Sequence, residues 1–292
     1  MQYNKFMPFG GPDVQFDNFD LSNIVILPIC YENKPSYGIG SLYGPIHILN
    51  ASFQLEQIDE ETLEDWTKLK IHTLFPFVPS SIPDTAVNEI KKTAIKIIEQ
   101  KKFLLSLGGD HAISIGLIDA ANNFHKDISV LQIDAHADLR NTWNGSKYNH
   151  ACVIRRILDN YNVPVVQVGI RSFSKEELEY IKNKNLTPFY AHLLNPNDNS
   201  WMLQVANKLS NNVYITLDLD GLDPSVIPGT GTPEPGGLSY KQVVELIKII
   251  GKEKNVIGAD INELSKIEGT QVSEYTAAKL ATKIFIHCSK NN

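Results

Sequence analysis

In ISVLQIDAHAD, residues 128–138, an apolar run ends in Asp134, His136 and Asp138, three metal-binding side-chain types at every second position. On an extended backbone such positions face one side, so the three could converge on one point without an unusual turn. VYITLDLDGLD, residues 213–223, repeats the device with Asp218 and Asp220. A sixth candidate, His111, follows the apolar FLLSL and a Gly-Gly pair, expected to turn sharply at a strand's carboxyl end. Alone it would read as a structural turn histidine, so its value depends on its company. Two imidazoles and four carboxylates without a thiolate suit hard or borderline divalent ions such as manganese better than structural zinc. Four crowded carboxylates repel one another, and two divalent ions would neutralise them. A pair of ions sharing a water can lower its pKa enough to supply hydroxide near neutral pH, the usual purpose of a two-metal hydrolase site.

Strand ends must hold these residues. Apolar runs at 24–29, 103–107, 128–133, 163–171, 187–192, 213–217, 256–261 and 283–288 predict strands, and helical periodicity marks 84–100, 174–185, 198–209, 240–251 and 273–281. Strands alternate with helices nearly throughout, which predicts an α/β fold with a mostly parallel sheet of about eight strands covered on both faces. The stretch 59–79 gives only weak signals. Ser174 with Glu177 three residues on reads as a capping box. YENKPSYGIGSLYGP, after the first strand, suits a ligand loop and a structural connection equally. The Pro/Gly-rich DPSVIPGTGTPEPGGLS should form a rigid wall. The whole chain, 1–292, is expected to be a single domain, with an irregular arm at about 1–23 packed on the surface or on a neighbouring subunit.

Hydrophobic content of 42% and charged content of 21% are ordinary for a soluble globular chain. The net charge of -6 is spread rather than blocked, which argues against nucleic acid as a partner. Cys30, Cys152 and Cys288 form no CxxC pair, and a reducing, cytoplasmic setting fits them best. No signal-peptide pattern or membrane-length apolar run appears, so neither export nor a membrane is expected. Cys152 lies two residues from His150, a spacing that faces different ways on a helix, and a packing role is expected for it.

GGDH at 108–111, DAHAD at 134–138, TLDLDGLDPSVIPGTGTPEPGGLS at 216–239 and DINEL at 260–264 resemble, in order, the signature blocks of the ureohydrolase family, which includes arginase and agmatinase. PSYGIGSLYGP at 35–45 extends the resemblance over nearly the full length. It implies a three-layer α/β/α fold, two Mn(2+) per chain, and hydrolysis of a guanidino group to urea and an amine. It also implies that His111, Asp134, Asp138 and Asp218 hold one ion and Asp134, His136, Asp218 and Asp220 the other. Glu263 resembles the glutamate that grips the substrate guanidinium, a fork-to-fork pairing. His150, in YNHACVIRR, resembles the histidine that passes a proton to the leaving amine. Asp110 is expected either to hydrogen-bond a ligand histidine or to cap a helix, and Asp223 to form a turn. A homo-oligomer, trimer or hexamer, is implied as well.

YNHACVIRR resembles the agmatinase block more than the arginase loop, and Ser172 stands where arginases carry an acidic residue for the α-amino group. The resemblance therefore implies a small cationic guanidino substrate, agmatine, converted to putrescine and urea. Arginine, guanidinobutyrate and a non-catalytic metal-binding homologue are the alternatives. Substrate choice is expected to lie around Tyr148 to Arg156 and at Ser172.

Overall fold

The computed structural model describes residues 7–14 and 18–289. Of the expected N-terminal arm, residues 1–6 and 15–17 lie outside the described residues. Eight strands, β1 (Ile24–Ile29), β2 (Ile71–Thr73), β3 (Phe103–Gly108), β4 (Ile128–Ile133), β5 (Val165–Ile170), β6 (Phe189–Tyr190), β7 (Asn212–Asp218) and β8 (Asn255–Asn262), form one sheet in the order β2-β1-β3-β8-β7-β4-β5-β6. Every pairing is parallel. The helices are α1 (Gly44–Ser52), α2 (Pro83–Ile98), α3 (Ile113–Phe124), α4 (Val153–Arg156), α5 (Lys175–Asn183), α6 (Ser200–Lys208), α7 (Tyr240–Glu253) and α8 (Val272–Cys288).

Strand β1 shows why the sheet must be covered twice. Ile24 and Ile26 pack into one core with α1, α6, α7 and α8, whereas Val25, Leu27 and Ile29 pack into another with α2, α3, α4 and α5. Alternate side chains leave opposite faces, so an all-apolar strand demands a helical layer on each. The result is the expected three-layer α/β/α arrangement. Ser174 caps α5 with the expected capping box, its hydroxyl accepting from Glu177 N. Cys152 is a free thiol, fully buried in the protein, as a packing role requires.

Two expectations fail. The run 283–288 is not a strand: α8 continues unbroken to Cys288. Ala277, Ala278, Leu280, Ala281, Ile284, Phe285 and Ile286 are all buried, so its apolar run reflects a helix buried nearly all round, which periodicity alone cannot separate from a strand. Strand β2, by contrast, lies in the weak stretch 59–79 as a three-residue edge strand, too short to show alternation.

Strands β3, β8, β7 and β4 are neighbours, and all point the same way. The blocks GGDH, DINEL, LDLD and DAHAD therefore emerge along one edge of the sheet. The glycines of GGDH are needed for room rather than for a special turn, since neither has a left-handed backbone. A Cβ on Gly108 would collide with the Asn262 side chain, and one on Gly109 with the Tyr31 carbonyl. Among the described residues no helix is long and apolar enough to cross a membrane.

Candidate metal centre and its groove

The six expected metal residues meet. Ligand atoms of His111, Asp134 and Asp218 lie within 4.8 Å of one another, as do those of Asp134, His136 and Asp220, so Asp134 belongs to both groups. His111 Nδ1 stands 3.2 Å from Asp134 Oδ2, 3.1 Å from Asp138 Oδ2 and 3.3 Å from Asp218 Oδ2. His136 Nδ1 lies 3.0 Å from Asp220 Oδ2. The convergence does not come from a straight strand, because β4 ends at Ile133. Asp134 Oδ1 accepts from His136 N at 2.6 Å, Asp218 Oδ1 accepts from Asp220 N at 3.0 Å, and Asp138 is left-handed at φ 54. Short carboxylate-capped turns aim the side chains.

Hydrogen bonding around His111 fixes which nitrogen faces the acids. Thr216 Oγ1 donates to Asp260 Oδ1 at 2.6 Å, and so it can only accept from His111 Nε2, 2.8 Å away. That leaves the Nδ1 lone pair buried, without a hydrogen bond, against three carboxylates. Such a donor set fits a divalent cation, and orientation of a ligand histidine through its other nitrogen is how metal sites are commonly built. Burial, with Asp138 and Asp220 nearby, pushes Asp134 up to about 7. Burial likewise raises Asp218 far above the carboxylate range, with Asp220 and Asp134 adding to it. Burial opposes the charge on His136, yet Asp220 and Asp134 lift it to about 11. Neighbouring carboxylates contribute to all three shifts, whereas Asp220, against His136, is held down to about 2.

Beside this centre, Asp110, His150 and Glu263 form a third cluster. Glu263, left-handed at φ 67, follows β8 and its Oε1 accepts from His111 N at 2.7 Å. Burial, Asp110 and Asp218 push its carboxyl well above the usual range. Asp110 Oδ1 accepts from Ala112 N at 2.8 Å, while Oδ2 faces His150 Nδ1 at 3.6 Å. Asp110 thus does cap a turn, but the histidine it serves is His150 rather than a ligand histidine. Burial works against the charged form of His150, and Asp110 outweighs it, giving about 9. A groove of about 330 Å³ passes over all three clusters, lined among others by Ser36, Trp143, Ser172 and Thr232.

The model of the Arginase family matches residues 22–287. The N(1)-aminopropylagmatine ureohydrolase of a Synechocystis strain is 38% identical, over 89% of this chain and 87% of that protein. The chain belongs to the arginase family. An agmatinase of Bacillus cereus is 31% identical over 86% of each chain. The crystal structure of an agmatine ureohydrolase of Thermoplasma volcanium superposes with a TM-score of 0.88 at 29% identity, covering 98% of this chain and 95% of that one.

Several residues of this arginase-family site escape motif reading. Asp260, inside the DINEL block, is completely buried and collects Thr216, Ser114, Asn262 and the Tyr214 hydroxyl, so its work is to hold Thr216 under His111. Arg171 binds only backbone carbonyls, among them Asp220 O at 2.7 Å and Glu234 O at 2.6 Å, and so pins the Pro/Gly wall to the end of β7. Asp223 is the turn-former expected, accepting from Ser225, Gly236 and Gly237. Residues Cys152 to Arg156 do not line the groove, and the loop after β1 does, with Pro35, Ser36, Tyr37 and Gly38. The expected substrate region is corrected accordingly. That loop's signals were its place after the first strand and its resemblance to a family block at 35–45.

Proposed function

We propose that this arginase-family ureohydrolase cleaves a cationic guanidino amine, agmatine to putrescine and urea. The observation that carries the reading is one groove in which two His/Asp clusters sharing Asp134 adjoin the Asp110, His150 and Glu263 cluster. In this reading His111, Asp134, Asp138 and Asp218 hold one manganese ion, and Asp134, His136, Asp218 and Asp220 the other. Bound there, the two ions supply a hydroxide nucleophile near neutral pH, which a resonance-stabilised guanidinium needs. Glu263, whose carboxyl burial, Asp110 and Asp218 push up when no further cation is near, accepts the planar guanidinium in a two-pronged pair and fixes its orientation. His150 holds the proton for the leaving nitrogen, charged near neutrality because Asp110 faces it.

The groove favours an amine tail over a carboxylate. Its one arginine, Arg140, lies 4.2 Å over the Trp143 ring with Glu177 4.0 Å away, so its charge is already offset. Ser172 argues against arginine, by offering no acid for an α-amino group. A second reading, N(1)-aminopropylagmatine, is favoured by the 38% identity to a ureohydrolase named for it and by a mouth where Tyr37 is 86% exposed, leaving room for a longer tail. A cytoplasmic homo-oligomer of three or six chains is the assembly this reading implies. Urea release from agmatine, N(1)-aminopropylagmatine, arginine and guanidinobutyrate, measured in parallel on manganese-loaded protein, tests the assignment. Preference for agmatine is expected; preference for the aminopropyl compound moves the assignment to the longer amine, and preference for arginine overturns both. No urea from any of the four identifies a non-catalytic homologue.

A further inference from the structure

Both ring nitrogens of His150 are already engaged. Nδ1 faces Asp110 Oδ2 at 3.6 Å, and Nε2 lies 2.7 Å from Ser36 Oγ. A substrate nitrogen therefore finds no free edge of the imidazole to receive a proton directly. It finds the Ser36 hydroxyl, which stands on Nε2 and lines the same groove. We propose that Ser36 relays the proton between His150 and the leaving nitrogen of the substrate, an inference that rests on the reading of His150 as the proton's source.

The hydrogen-bond inventory allows this step without rearrangement. Trp143 Nε1, which can only donate, gives its hydrogen to Ser36 Oγ at 3.0 Å and occupies one lone pair. When His150 is neutral, the Ser36 O–H donates to Nε2. When His150 is charged, Nε2–H donates to the second Oγ lone pair, and the Ser36 O–H is released to face another acceptor. In the transfer, the Nε2–H bond breaks as a new O–H bond forms on Ser36, while the original O–H proton passes to the departing nitrogen and the C–N bond breaks. Serine ends neutral, His150 ends neutral, and the amine leaves with the proton. One intervening hydroxyl is within the reach expected of acid–base catalysis.

The loop is also braced to keep the hydroxyl there. Lys34 Nζ donates to Asn144 O at 2.9 Å, Asn144 Nδ2 returns a bond to Lys34 O at 3.1 Å, and Gly38 N donates to Gly231 O at 2.9 Å. Asn33 N donates to Asp110 Oδ2 at 3.2 Å, so one short segment meets both partners of His150.

The test compares Ser36→Ala, Ser36→Thr and His150→Asn in the manganese-loaded protein, with metal content and thermal melting as controls. Two substrates are used: agmatine, and its analogue with oxygen between the chain and the guanidino group, whose less basic alkoxyamine leaves with less help from an acid. Ser36→Ala should lower kcat on agmatine by about 10- to 100-fold with KM little changed, and the loss should shrink to a few-fold on the analogue. Ser36→Thr should restore most of the rate. A Ser36→Ala rate within about twofold of the parent on agmatine, or an equal loss on both substrates, overturns the relay. Normal turnover by His150→Asn instead removes the proton-source reading beneath it, which keeps the two failures apart.

Discussion

Two charge clusters, each with a buried aspartate and a buried cationic side chain at its heart, behave in opposite ways. At the metal centre, Asp134, Asp138 and Asp218 are pushed up, Asp134 to about 7 by burial and by Asp138 and Asp220, and Asp220 alone, facing His136, goes down. On α8 the Lys283 ammonium, 0% exposed, lies 2.5 Å from Asp59 Oδ2, 2.9 Å from Glu60 Oε1 and 3.0 Å from Glu61 Oε2. There burial also opposes ionisation, yet Lys283 and the Thr62 backbone hold Asp59 down to about 2, and Lys279 with Lys283 holds Glu60 at about 2. The lysine cluster closes its charge with the chain's own cation and serves as a latch between α8 and the 59–61 turn. The His/Asp cluster has acids in excess, and only a cation from outside completes it. Asp59, 1% exposed, is as buried as Asp134, so burial of an acid alone marks neither as a metal site; the sign of the uncompensated charge does.

The comparison breaks hardest at Asp134, which belongs to both halves of the centre. Asp134→Asn is expected to lower urea release at least about 10³-fold and to lose bound manganese, read as metal per chain after desalting. Full metal content with normal turnover would show the ligand map to be wrong. The latch should answer differently. Lys283→Met leaves three acids around an apolar side chain and should cost about 3–5 kcal/mol in denaturant unfolding, with turnover per folded, metal-loaded chain within about twofold. A dead but fully folded Lys283→Met protein would tie the latch to catalysis and remove the contrast.

Proton linkage separates the two clusters next. Asp134 and His136 are raised in the folded chain, so without metal they favour the native state at low pH and lose that contribution as pH climbs, for Asp134 between about 4 and about 7. Asp59 and Glu60 are lowered, so their contribution is complete above about pH 4 and disappears only as pH falls towards 2. Metal binding reverses the first penalty, since it competes with those protons. The gap in melting temperature between manganese-loaded and chelated protein should therefore widen from pH 5.5 to 7.5. Over the same window, the gap between the parent and Lys283→Met should stay level. A metal gap that narrows with rising pH would contradict the charge excess assigned to the centre.

The legible parts of the molecule are those where one residue type can do one job. Asp134, His136, Asp138, Asp218 and Asp220 stand out because carboxylates and imidazoles directly after apolar runs have few structural uses, and the sheet order then brings β3, β8, β7 and β4 side by side. What the residues around them do is set by long-range partners. Ser36 and His150 are separated by 114 positions, and Lys283 and Asp59 by 224, so no local pattern relates them. The same cause misplaced 283–288: a strand and a helix buried on all sides present one apolar run, and only the reach of Lys283 to the 59–61 turn distinguishes them. The parallel order of the sheet followed from alternation of strand and helix, but the count of eight agreed only because the run at 283–288 stood in for β2, whose three edge residues carry no period.

The smallest expected effect tests whether burial is what gives the latch its weight. Lys248 on α7 touches the same Glu61, 3.1 Å from its Oε1, and Glu245 at 2.9 Å, but its side chain is 31% exposed. Water can replace either partner there, and ordering two long side chains offsets much of the attraction, so Lys248→Ala should cost no more than about 1 kcal/mol and should shrink further in high salt. Lys283 differs from it in reaching the turn from inside, where removal leaves the Asp59 carboxylate, 1% exposed, without its cation and out of reach of water. Equal unfolding costs for Lys248→Ala and Lys283→Met would mean that proximity to Glu61, rather than enclosure, sets the energy. The latch would then be a surface ion pair, and the contrast with the metal centre would reduce to a difference in exposure.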